Sequence, residues 1–551
     1  MAKHSKRSNR EQIHLIAQSK LGYESLRAGQ ETAIKSLLEG RDILAVMPTG
    51  SGKSAIYQIA GVLIPGSTVV ISPLLALQQD QVESISEQDV GKAAVVNSTV
   101  SASDRQTAFD DLEKGALKFL FLAPEQFNNP ETLERLQNAK PSLFVVDEAH
   151  CISEWGHDFR PDYLRLGAVI ETLGHPRILA LTATAAPTVR EEIIERLGMR
   201  NPQVIVQGFD RPNIWLGVRR FEEEAEKEKA LIERATRAKK PGIVYVATRK
   251  KAEEVAEALC DKGVKAIFYH AGMKPKERED AQAAFMNDEA EVIVATTAFG
   301  MGVDKPNVRF VIHHNISDSV DSYYQEMGRA GRDGEKAFAL LFYCPDDLDI
   351  RRFLASSGQV DVEQVEQVAK AVQKQGEPIK RQDLREQTGL SQSKVATALN
   401  RLEAVGAVEM LPTGEVVASE QAPEVSEAAQ EAVHAQERYQ QYVRSRLEMM
   451  RGYAEVRDCR RKYLLNYFGE NLDEPCGFCD NCMAGVVVED DDADKPFPLN
   501  SRVVHQSWGE GLVMRYEHDK MVILFDKVGY KTVDVEFVRL RGLLKQAKGK
   551  R

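Results

Sequence analysis

The sequence predicts an α/β protein: two tandem parallel-sheet domains, then a winged helix, a helical module with clustered cysteines, and a small β-barrel. Three observations predict this architecture. Short apolar runs alternate with helical runs from residue 42 to about residue 345, the pattern of parallel, doubly wound sheets. Four cysteines lie between positions 459 and 482. After residue 498, apolar and polar residues alternate between glycine-containing turns, as they do in short β-strands.

Length and charge limit the classes of function. A chain of 551 residues is too long for one core. The net charge of −11 argues against a generally basic coat, so nucleic-acid binding would depend on local patches and stacking. No apolar run reaches the roughly eighteen residues of a membrane span. Residues 1–11 are basic without a hydrophobic stretch, so we expect a disordered tail rather than a signal peptide, and a cytoplasmic protein.

The first domain contains a candidate phosphate-binding loop. An apolar run at 42–46 precedes Met-Pro-Thr-Gly-Ser-Gly-Lys-Ser at 47–54, and a helical run follows. Lys53 would reach the β- and γ-phosphates, and Ser54 would hold Mg²⁺. Backbone N–H groups of the loop would face the phosphate oxygens. The loop residues concerned are Thr49, Gly50, Ser51 and Gly52. Met47 stands where the first glycine of the motif is expected, so a plain glycine-rich turn is the alternative.

An acidic pair follows another predicted strand of this domain. The apolar run 142–146 leads directly into Asp147 and Glu148. Asp147 would reach Mg²⁺ through water beside Ser54, and Glu148 would polarise the water that attacks the γ-phosphate. The alternative is that the two acids only cap a helix.

Two further groups of side chains in the first domain are candidates for ligand contacts. Upstream of the loop, an aromatic residue, an arginine and a glutamine could sandwich and read an adenine, or could simply flank a helix cap. They are Tyr23, Arg27 and Gln30. After the acidic pair, aromatic and basic side chains could stack on bases of single-stranded nucleic acid, or form a packed loop core. They are Trp155, His157, Phe159 and Arg160.

The second domain, from about residue 209, lacks a phosphate loop of its own. It instead has arginines in the stretch 323–334. A guanidinium that reaches across a cleft can neutralise charge on the γ-phosphate in the transition state. Arg332 is the candidate, with Arg329 and Gln325 as helpers. A solvated loop is the alternative.

The four clustered cysteines predict a structural zinc site. Two-residue spacings separate the last three, and four thiolates suit tetrahedral Zn²⁺ without leaving a position open for catalysis. The predicted ligands are Cys459, Cys476, Cys479 and Cys482. Disulfides are disfavoured in a reducing cytoplasm, and a redox role is the alternative. A nearby basic run is a candidate for contacts with DNA phosphates, or it only flanks a helix. It comprises Arg457, Arg460, Arg461 and Lys462.

Two modules surround the cysteines. Residues 353–420 predict three helices and a hairpin, a winged helix whose third helix carries Lys394 as a DNA-binding candidate. Its positive charge is sparse, so a protein-contact or spacer role stays open. A long helix is expected at 424–450 and an acidic linker at 487–496. An SH3- or Tudor-like barrel at 497–545 and a basic tail at 546–551 follow.

Together these motifs resemble superfamily 2 helicases and, within them, the RecQ family. The matching positions are Tyr23, Arg27 and Gln30 for adenine recognition, 49–54 for the phosphate loop, 147–150 for the DEAH box, 155–160 for the aromatic loop, and 210–213, 270–272 and 325–334 for later motifs. Met-Pro at 47–48 is the usual RecQ form. The resemblance implies RecA-like domains at 12–208 and 209–352, with ATP, Mg²⁺ and Zn²⁺ as cofactors. It also implies 3′→5′ DNA unwinding in recombination and repair, on single-stranded and forked or tailed duplex DNA.

The arrangement after the second domain departs from the family. The RecQ winged helix follows the zinc module, whereas here one precedes it, so the strand-separating hairpin is assigned to no residue. The phrase at 504–511 resembles the C-terminal Tudor-like module of UvrD-type helicases, a partner-docking element. It implies a protein partner, hypothetically RNA polymerase, with DNA as the alternative ligand. A weakly unwinding translocase, a scaffold gated by ATP, and an RNA helicase remain alternative functions.

Overall fold

The computed structural model describes residues 9–547 except 28, 49, 154–159, 301–302, 304, 357–358, 412–414, 420, 471, 488–494, 500 and 518–519. The chain divides into two compact units. Unit 1 comprises Met1–Asp347 and Met450–Glu489, and unit 2 comprises Leu348–Met449 and Asp490–Arg551. Among the described residues, no helix combines the length and apolar character needed to cross a membrane.

The first lobe of unit 1 is a parallel sheet flanked by helices. Its strands are β1 (Ile43–Val46), β2 (Thr68–Ile71), β3 (Ala93–Val96), β4 (Phe119–Leu122), β5 (Leu143–Val146), β6 (Arg177–Thr182) and β7 (Gln203–Val206). They lie in the order β3-β4-β2-β5-β6-β1-β7. Its helices are α1 (Asn9–Ser19), α2 (Gln30–Leu38), α3 (Lys53–Leu63), α4 (Leu75–Glu87), α5 (Ala102–Glu113), α6 (Pro130–Ala139), α7 (Leu166–Thr172) and α8 (Pro187–Arg196). Helix α1 begins at Asn9, so the prediction of a disordered tail as far as residue 11 is wrong at its end.

The second lobe of unit 1 is also a parallel sheet. Its strands are β8 (Ile214–Arg220), β9 (Gly242–Tyr245), β10 (Ala266–Tyr269), β11 (Val292–Ala295), β12 (Phe310–His313) and β13 (Ala337–Tyr343), in the order β10-β11-β9-β12-β13-β8. Its helices are α9 (Glu224–Arg237), α10 (Arg249–Asp261), α11 (Pro275–Met286) and α12 (Val320–Met327), and α13 (Asp347–Ser356) follows. Nearly all strand residues of both lobes' central strands are buried, because helices cover both faces of parallel sheets. The predicted fold class, with two parallel-sheet domains, is confirmed.

After α13, unit 2 contains three helices and a small antiparallel sheet. The elements are α14 (Val362–Gln375), β14 (Ile379–Lys380), α15 (Arg381–Thr388), α16 (Gln392–Ala404), β15 (Val408–Met410) and β16 (Glu415–Ala418). Ser391 caps α16 by accepting a hydrogen bond from the Lys394 N–H group. Apolar side chains from all three helices and the sheet form one core.

The remaining elements complete both units. The long helix α17 (Val425–Glu455) extends past its predicted end. Helices α18 (Arg460–Tyr467) and α19 (Asp480–Met483) belong to the cysteine module of unit 1. Unit 2 ends with β17 (Arg502–His505), β18 (Gly509–Glu517), β19 (Lys520–Phe525), β20 (Gly529–Asp534), α20 (Val535–Arg541) and β21 (Leu544–Gln546). Their antiparallel order β20-β19-β18-β17-β21 is consistent with a small barrel. The exact domain boundaries stay predictions.

Candidate active site and cysteine cluster

The loop between β1 and α3 has the backbone shape of a phosphate cradle. Gly50 and Gly52 have φ angles of 78° and 77°, a left-handed conformation that glycine adopts without steric cost. Gly52 directly precedes the first residue of α3, so the N–H groups at the helix start point towards the loop. The Lys53 ammonium donates to the Met47 carbonyl at 3.0 Å. Burial lowers the pKa of Lys53, and the carboxylates of Glu148 and Asp147 oppose that shift. Thr49 lies outside the described residues.

Arg27 and Gln30 contact this loop directly. The Gln30 Nε2 atom donates to the carbonyls of Ser51 and Gly52, at 2.9 and 3.0 Å. The Arg27 backbone N–H donates to Gln30 Oε1 at 2.8 Å, and its guanidinium donates to the Gly50 carbonyl. Both side chains therefore set the loop's position, a contact the sequence did not predict. Tyr23 is 42% exposed, and the adenine-reading role of all three stays a prediction.

The acidic pair follows the carboxyl end of β5. Burial and the neighbouring Glu148 carboxylate raise the pKa of Asp147 to about 7, while Lys53 opposes the shift. Glu148 has a φ of 48°, which is uncommon for a residue with a side chain and costs on the order of 1–3 kcal/mol. Such strain is often found where a side chain must be aimed at a site. Here Glu148 and Asp147 line one cavity with Lys53 and Ser54.

A chain of polar contacts connects Glu148 to the second lobe. The Glu148 carboxylate lies 3.3 Å from His150 Nδ1, which lies 2.9 Å from Thr182 Oγ1. The Thr182 hydroxyl donates to the Thr184 carbonyl at 2.9 Å, and Gln325 Nε2 donates to Thr184 Oγ1 at 3.2 Å. Sequence reasoning selected Gln325 but missed Thr182 and Thr184 as site residues. Their position at the carboxyl end of β6 was the available signal.

The two predicted arginines line the same cavity from the second lobe. Nη1 of Arg329 and Nη1 of Arg332 donate to the Val303 carbonyl at 3.4 and 2.9 Å. Aliphatic carbons of Arg332 lie beside the loop, 3.6 Å from where a Cβ at Gly50 would stand. The cavity has a volume of about 190 Å³, and it brings Gln325 and both arginines together with the phosphate loop and the acidic pair.

The segment between the lobes holds the arginine-bearing loop. Arg211 donates to the carbonyls of Gly328, Ala330 and Gly331, at 2.9, 2.8 and 3.1 Å. Asn213 Nδ2 donates to the Gly331 carbonyl at 2.8 Å. Three backbone carbonyls after α12 are thus satisfied by one guanidinium, which limits the conformations of the loop that carries Arg329 and Arg332.

The four cysteines converge on one point and fit a zinc ion. Their sulfur atoms all lie within 4.8 Å of one another. A tetrahedral site with Zn–S bonds of about 2.3 Å requires sulfur separations of about 3.8 Å, and Cys476 and Cys482 are 3.9 Å apart. Backbone N–H groups donate to the sulfurs of Cys459, Cys476 and Cys479 at 3.3–3.5 Å, which suits thiolates. Four sulfur donors leave no open coordination position, so the site is structural.

Arginines beside the first cysteine are structural, which corrects part of the prediction. Arg461 is 5% exposed. Its Nη1 donates to Asp210 at 2.6 Å, and its Nη2 to the Ile214 carbonyl at 2.7 Å. Arg460 is also buried; it pairs with Asp480 and donates to a backbone carbonyl of α17. Burial and pairing leave neither guanidinium accessible to DNA phosphates.

Aromatic rings join the cysteine module to both the interlobe segment and α12. Phe209 and Phe468 stack with centroids 4.4 Å apart and planes at 10°. The Tyr324 hydroxyl donates to the Phe209 carbonyl at 2.6 Å, and its ring contacts Phe468 edge-on. Tyr467 donates to Asp321 near the start of α12. The helix that precedes the arginine loop is therefore packed directly on the cysteine module.

The predicted DNA-binding residues are only partly described. Trp155, His157 and Phe159 lie outside the described residues. Arg160 donates to the Pro73 carbonyl at 3.3 Å and is half-buried. Lys394 Nζ donates to Gln364 Oε1 at 3.1 Å within the winged helix. DNA binding by these residues stays a prediction.

Comparisons with known proteins identify the family. Residues 27–193 match the DEAD/DEAH box helicase family model, 226–334 the helicase conserved C-terminal domain, and 420–483 the RecQ zinc-binding domain. The chain is 40% identical over 354 residues to the probable ATP-dependent DNA helicase RecS of Bacillus subtilis, covering 64% of this chain and 71% of that protein. It is 36% identical over 464 residues to the ATP-dependent DNA helicase RecQ of Pasteurella multocida. The chain belongs to the RecQ family of superfamily 2 helicases.

The alignments with RecQ proteins cover most of this chain but a smaller share of each relative. The Pasteurella alignment covers 84% of this chain and 61% of the relative, and the Bacillus subtilis RecQ alignment, at 35% identity, covers 84% and 65%. This RecQ-family chain therefore spans under two thirds of those relatives. A solved structure, DUF1998 helicase MrfA bound to DNA, is similar in fold, with a TM-score of 0.52 at 19% identity over 77% of this chain and 61% of that one.

Proposed function

We propose that this RecQ-family protein is an ATP-dependent DNA helicase. One observation carries the proposal: a single cavity joins the phosphate loop and acidic pair of the first lobe to Gln325, Arg329 and Arg332 of the second. Hydrolysis of a nucleotide in such a cavity changes the charge that both lobes contact. Phosphate release would then let the lobes separate, and repeated cycles would move the protein along single-stranded DNA.

Each side chain at the cavity has a proposed role. Lys53 and the loop N–H groups would hold the β- and γ-phosphates of Mg²⁺–ATP, and Ser54 and Asp147 would hold the metal. Glu148 would orient the attacking water and accept its proton. Arg332, aided by Arg329, would neutralise the charge that develops on the γ-phosphate. These assignments are supported by the shared cavity and by the partial burial of the charged groups within it, where electrostatic interactions are stronger than in water.

Zinc would be held by Cys459, Cys476, Cys479 and Cys482, where it stabilises the fold of the module. The module's contacts with Asp210 and α12 support a further role in positioning the arginine loop. Apart from the end of the N-terminal tail, where α1 already begins at Asn9, we propose the domain division that the sequence predicts.

The direction of movement, the cellular process and the location are proposed from the family resemblance. We expect 3′→5′ movement, action in recombination and repair, and a cytoplasmic location. Residues 155–160 and the winged helix are the proposed DNA contacts.

The test is ATP-driven unwinding of a 3′-tailed DNA duplex beside a 5′-tailed one, with the purified protein and its Glu148→Gln variant. We expect only the 3′-tailed duplex to open, and only with Glu148 present. ATP hydrolysis without opening of either duplex would instead establish a translocase, the main alternative. ATPase stimulation by RNA equal to that by DNA would favour an RNA helicase.

The C-terminal sheet is the proposed docking site for a protein partner. Phe537 and Leu540, three positions apart on α20, are 53% and 76% exposed and offer apolar surface to a partner. Direct binding of purified RNA polymerase core, compared between the wild type and a Phe537→Ser/Leu540→Ser variant, tests the hypothesis. Equal binding by both proteins, or none by either, would refute it.

A further inference from the structure

Three aromatic residues lie in one row across neighbouring strands of the second lobe. Trp215 on β8 is in register with Phe338 on β13, which is in register with Phe310 on β12. The rings of Phe338 and Phe310 are nearly parallel, with centroids 5.5 Å apart. Phe310 is fully buried, whereas Trp215 and Phe338 are half-buried and line a cavity of about 310 Å³. Part of the aromatic row is thus accessible from solvent.

Cationic side chains surround the accessible rings. The same cavity is lined by Arg234, Lys239, Arg309 and Lys336, and no acidic residue of the described chain lines it. The Arg234 guanidinium lies 4.3 Å from the Phe338 ring centroid, within the range of a cation–π contact.

Among the described residues, one of these cations has an acidic partner. Arg309 pairs with Asp333. Among the ion pairs of the described residues, none involves Arg234, Lys239 or Lys336. A local excess of positive charge in a chain with a net charge of −11 indicates a site that attracts anions.

No residue of the described chain lines both this cavity and the candidate ATP site. Trp215 and Phe338 are the second residues of β8 and β13, and Arg309 directly precedes β12. Val303 of the candidate ATP site lies in the segment between β11 and β12, and Arg332 in the segment between α12 and β13. Because the strands of this sheet are parallel, these residues place the aromatic cavity at the edge formed by the amino ends of the strands.

We propose that this cavity is a second contact site for a nucleic-acid strand. The phosphates would be bound by Arg234, Lys239 and Lys336, and a base would pack against the accessible rings of Trp215 and Phe338. An acidic peptide would satisfy the cations equally well but would leave the flat aromatic surface without a matching partner, so the combination favours a nucleic acid. The inference goes beyond the proposed function, because it requires no ATP hydrolysis.

The first experiment measures the salt dependence of binding to fluorescein-labelled oligothymidylate in the full-length protein without nucleotide. Lys239→Ala/Lys336→Ala removes two cations from the site. The matched control is Lys229→Ala/Lys262→Ala, which removes two exposed lysines elsewhere on this lobe. Loss of two phosphate contacts should reduce the slope of log K against log salt by about 1.4 for single-stranded DNA. Equal slopes for the two double variants would overturn the proposal.

The second experiment locates the contact. Oligothymidylate carrying 5-iododeoxyuridine is photocrosslinked, and the modified peptides are identified by mass spectrometry. We expect an adduct at Trp215 or Phe338 that is lost in Lys239→Ala/Lys336→Ala and retained in the control. Adducts confined to other parts of the chain would overturn the proposal. The proposal would also be overturned if binding of an oligoglutamate peptide depended on Lys239 and Lys336 while binding of oligothymidylate did not.

The two proposals fail separately. The Glu148→Gln variant should keep both the slope and the adduct, since Glu148 lies in the other lobe. A protein with an intact adduct but no unwinding would retain the second site without being a helicase.

Discussion

Replacing Arg461 with methionine tests how the cysteine module supports the catalytic loop. Arg461 links α18 to the interlobe segment through Asp210 and the Ile214 carbonyl. Asp210 immediately precedes Arg211, whose guanidinium holds the carbonyls after α12. The substitution keeps most of the apolar volume while removing the charge, so it removes these two bonds together with the interaction between the guanidinium and the Cys476 sulfur.

The expected loss of stability follows from burial. A hydrogen bond that involves a charged group contributes about 1.5–3 kcal/mol, and Arg461 makes two bonds while 5% exposed. The side chain of Asp210 is 39% exposed, so water can hydrate the carboxylate that loses its partner. We therefore expect the free energy of unfolding to fall by about 2–4 kcal/mol, which is less than the sum of the two bond contributions.

The assay combines thermal unfolding with steady-state ATPase kinetics in saturating DNA. The unfolding temperature of unit 1 should fall by a few degrees, since about 1 kcal/mol corresponds to roughly 2–4 °C in a domain of about 150–250 residues and to less in a larger unit. We expect kcat to fall by up to about tenfold, the effect of about 1.4 kcal/mol on the barrier. Arg457→Met is the matched control, because Arg457 is exposed in the same basic run.

Two outcomes would refute the reasoning. Arg461→Met could match Arg457→Met in both unfolding temperature and kcat, in which case the buried link contributes nothing. Alternatively, it could weaken DNA binding and reduce the dependence of the binding constant on salt concentration, while the unfolding temperature and kcat stay unchanged. In that case the guanidinium contacts DNA.

Four further predictions concern the nucleotide and zinc sites. Glu148→Gln should lower the ATPase kcat by about 10²–10⁴ while ATP binding persists, since the amide cannot accept a proton; a fluorescent ATP analogue checks binding. Because burial raises the pKa of Asp147 to about 7, its ionisation opposes folding, and the stability present at low pH is lost as pH rises towards 7. In EDTA without nucleotide, Asp147→Asn should therefore gain stability over the wild type between about pH 4 and 7, by at most about 4 kcal/mol, as measured by urea unfolding at several pH values. Gln30→Ala removes two bonds to the loop of about 1 kcal/mol each, so the KM for ATP should rise by about tenfold or more, and an unchanged KM would contradict this. We expect atomic absorption to find one zinc per wild-type chain and none in Cys479→Ser, whose unit 1 should also have a lower unfolding temperature.

Much of the candidate site could be predicted because its signals are local. The glycines at 50 and 52 permit left-handed backbone angles, and the observed φ values at both positions confirm that geometry. The spacing of the last three cysteines restricts their sulfurs to a small volume, and those of all four lie within 4.8 Å of one another. Apolar runs ending in polar residues predicted the strands and placed Asp147 and Glu148 at a sheet edge. These features depend on residues close in sequence, so the sequence by itself determined them.

Contacts between residues far apart in the sequence decided the remaining features of the site. Arg461 lies 251 positions from Asp210, and Gln325 lies 141 positions from Thr184. Neither partner can be read from a local pattern. A basic run such as that around Arg461 has the same sequence whether it faces solvent or a buried carboxylate, and only the packing of α18 against the interlobe segment decides which. The row formed by Trp215 and Phe338 likewise requires two strands more than a hundred residues apart to pair in one register. Tertiary structure sets such registers, because they depend on which faces become buried together.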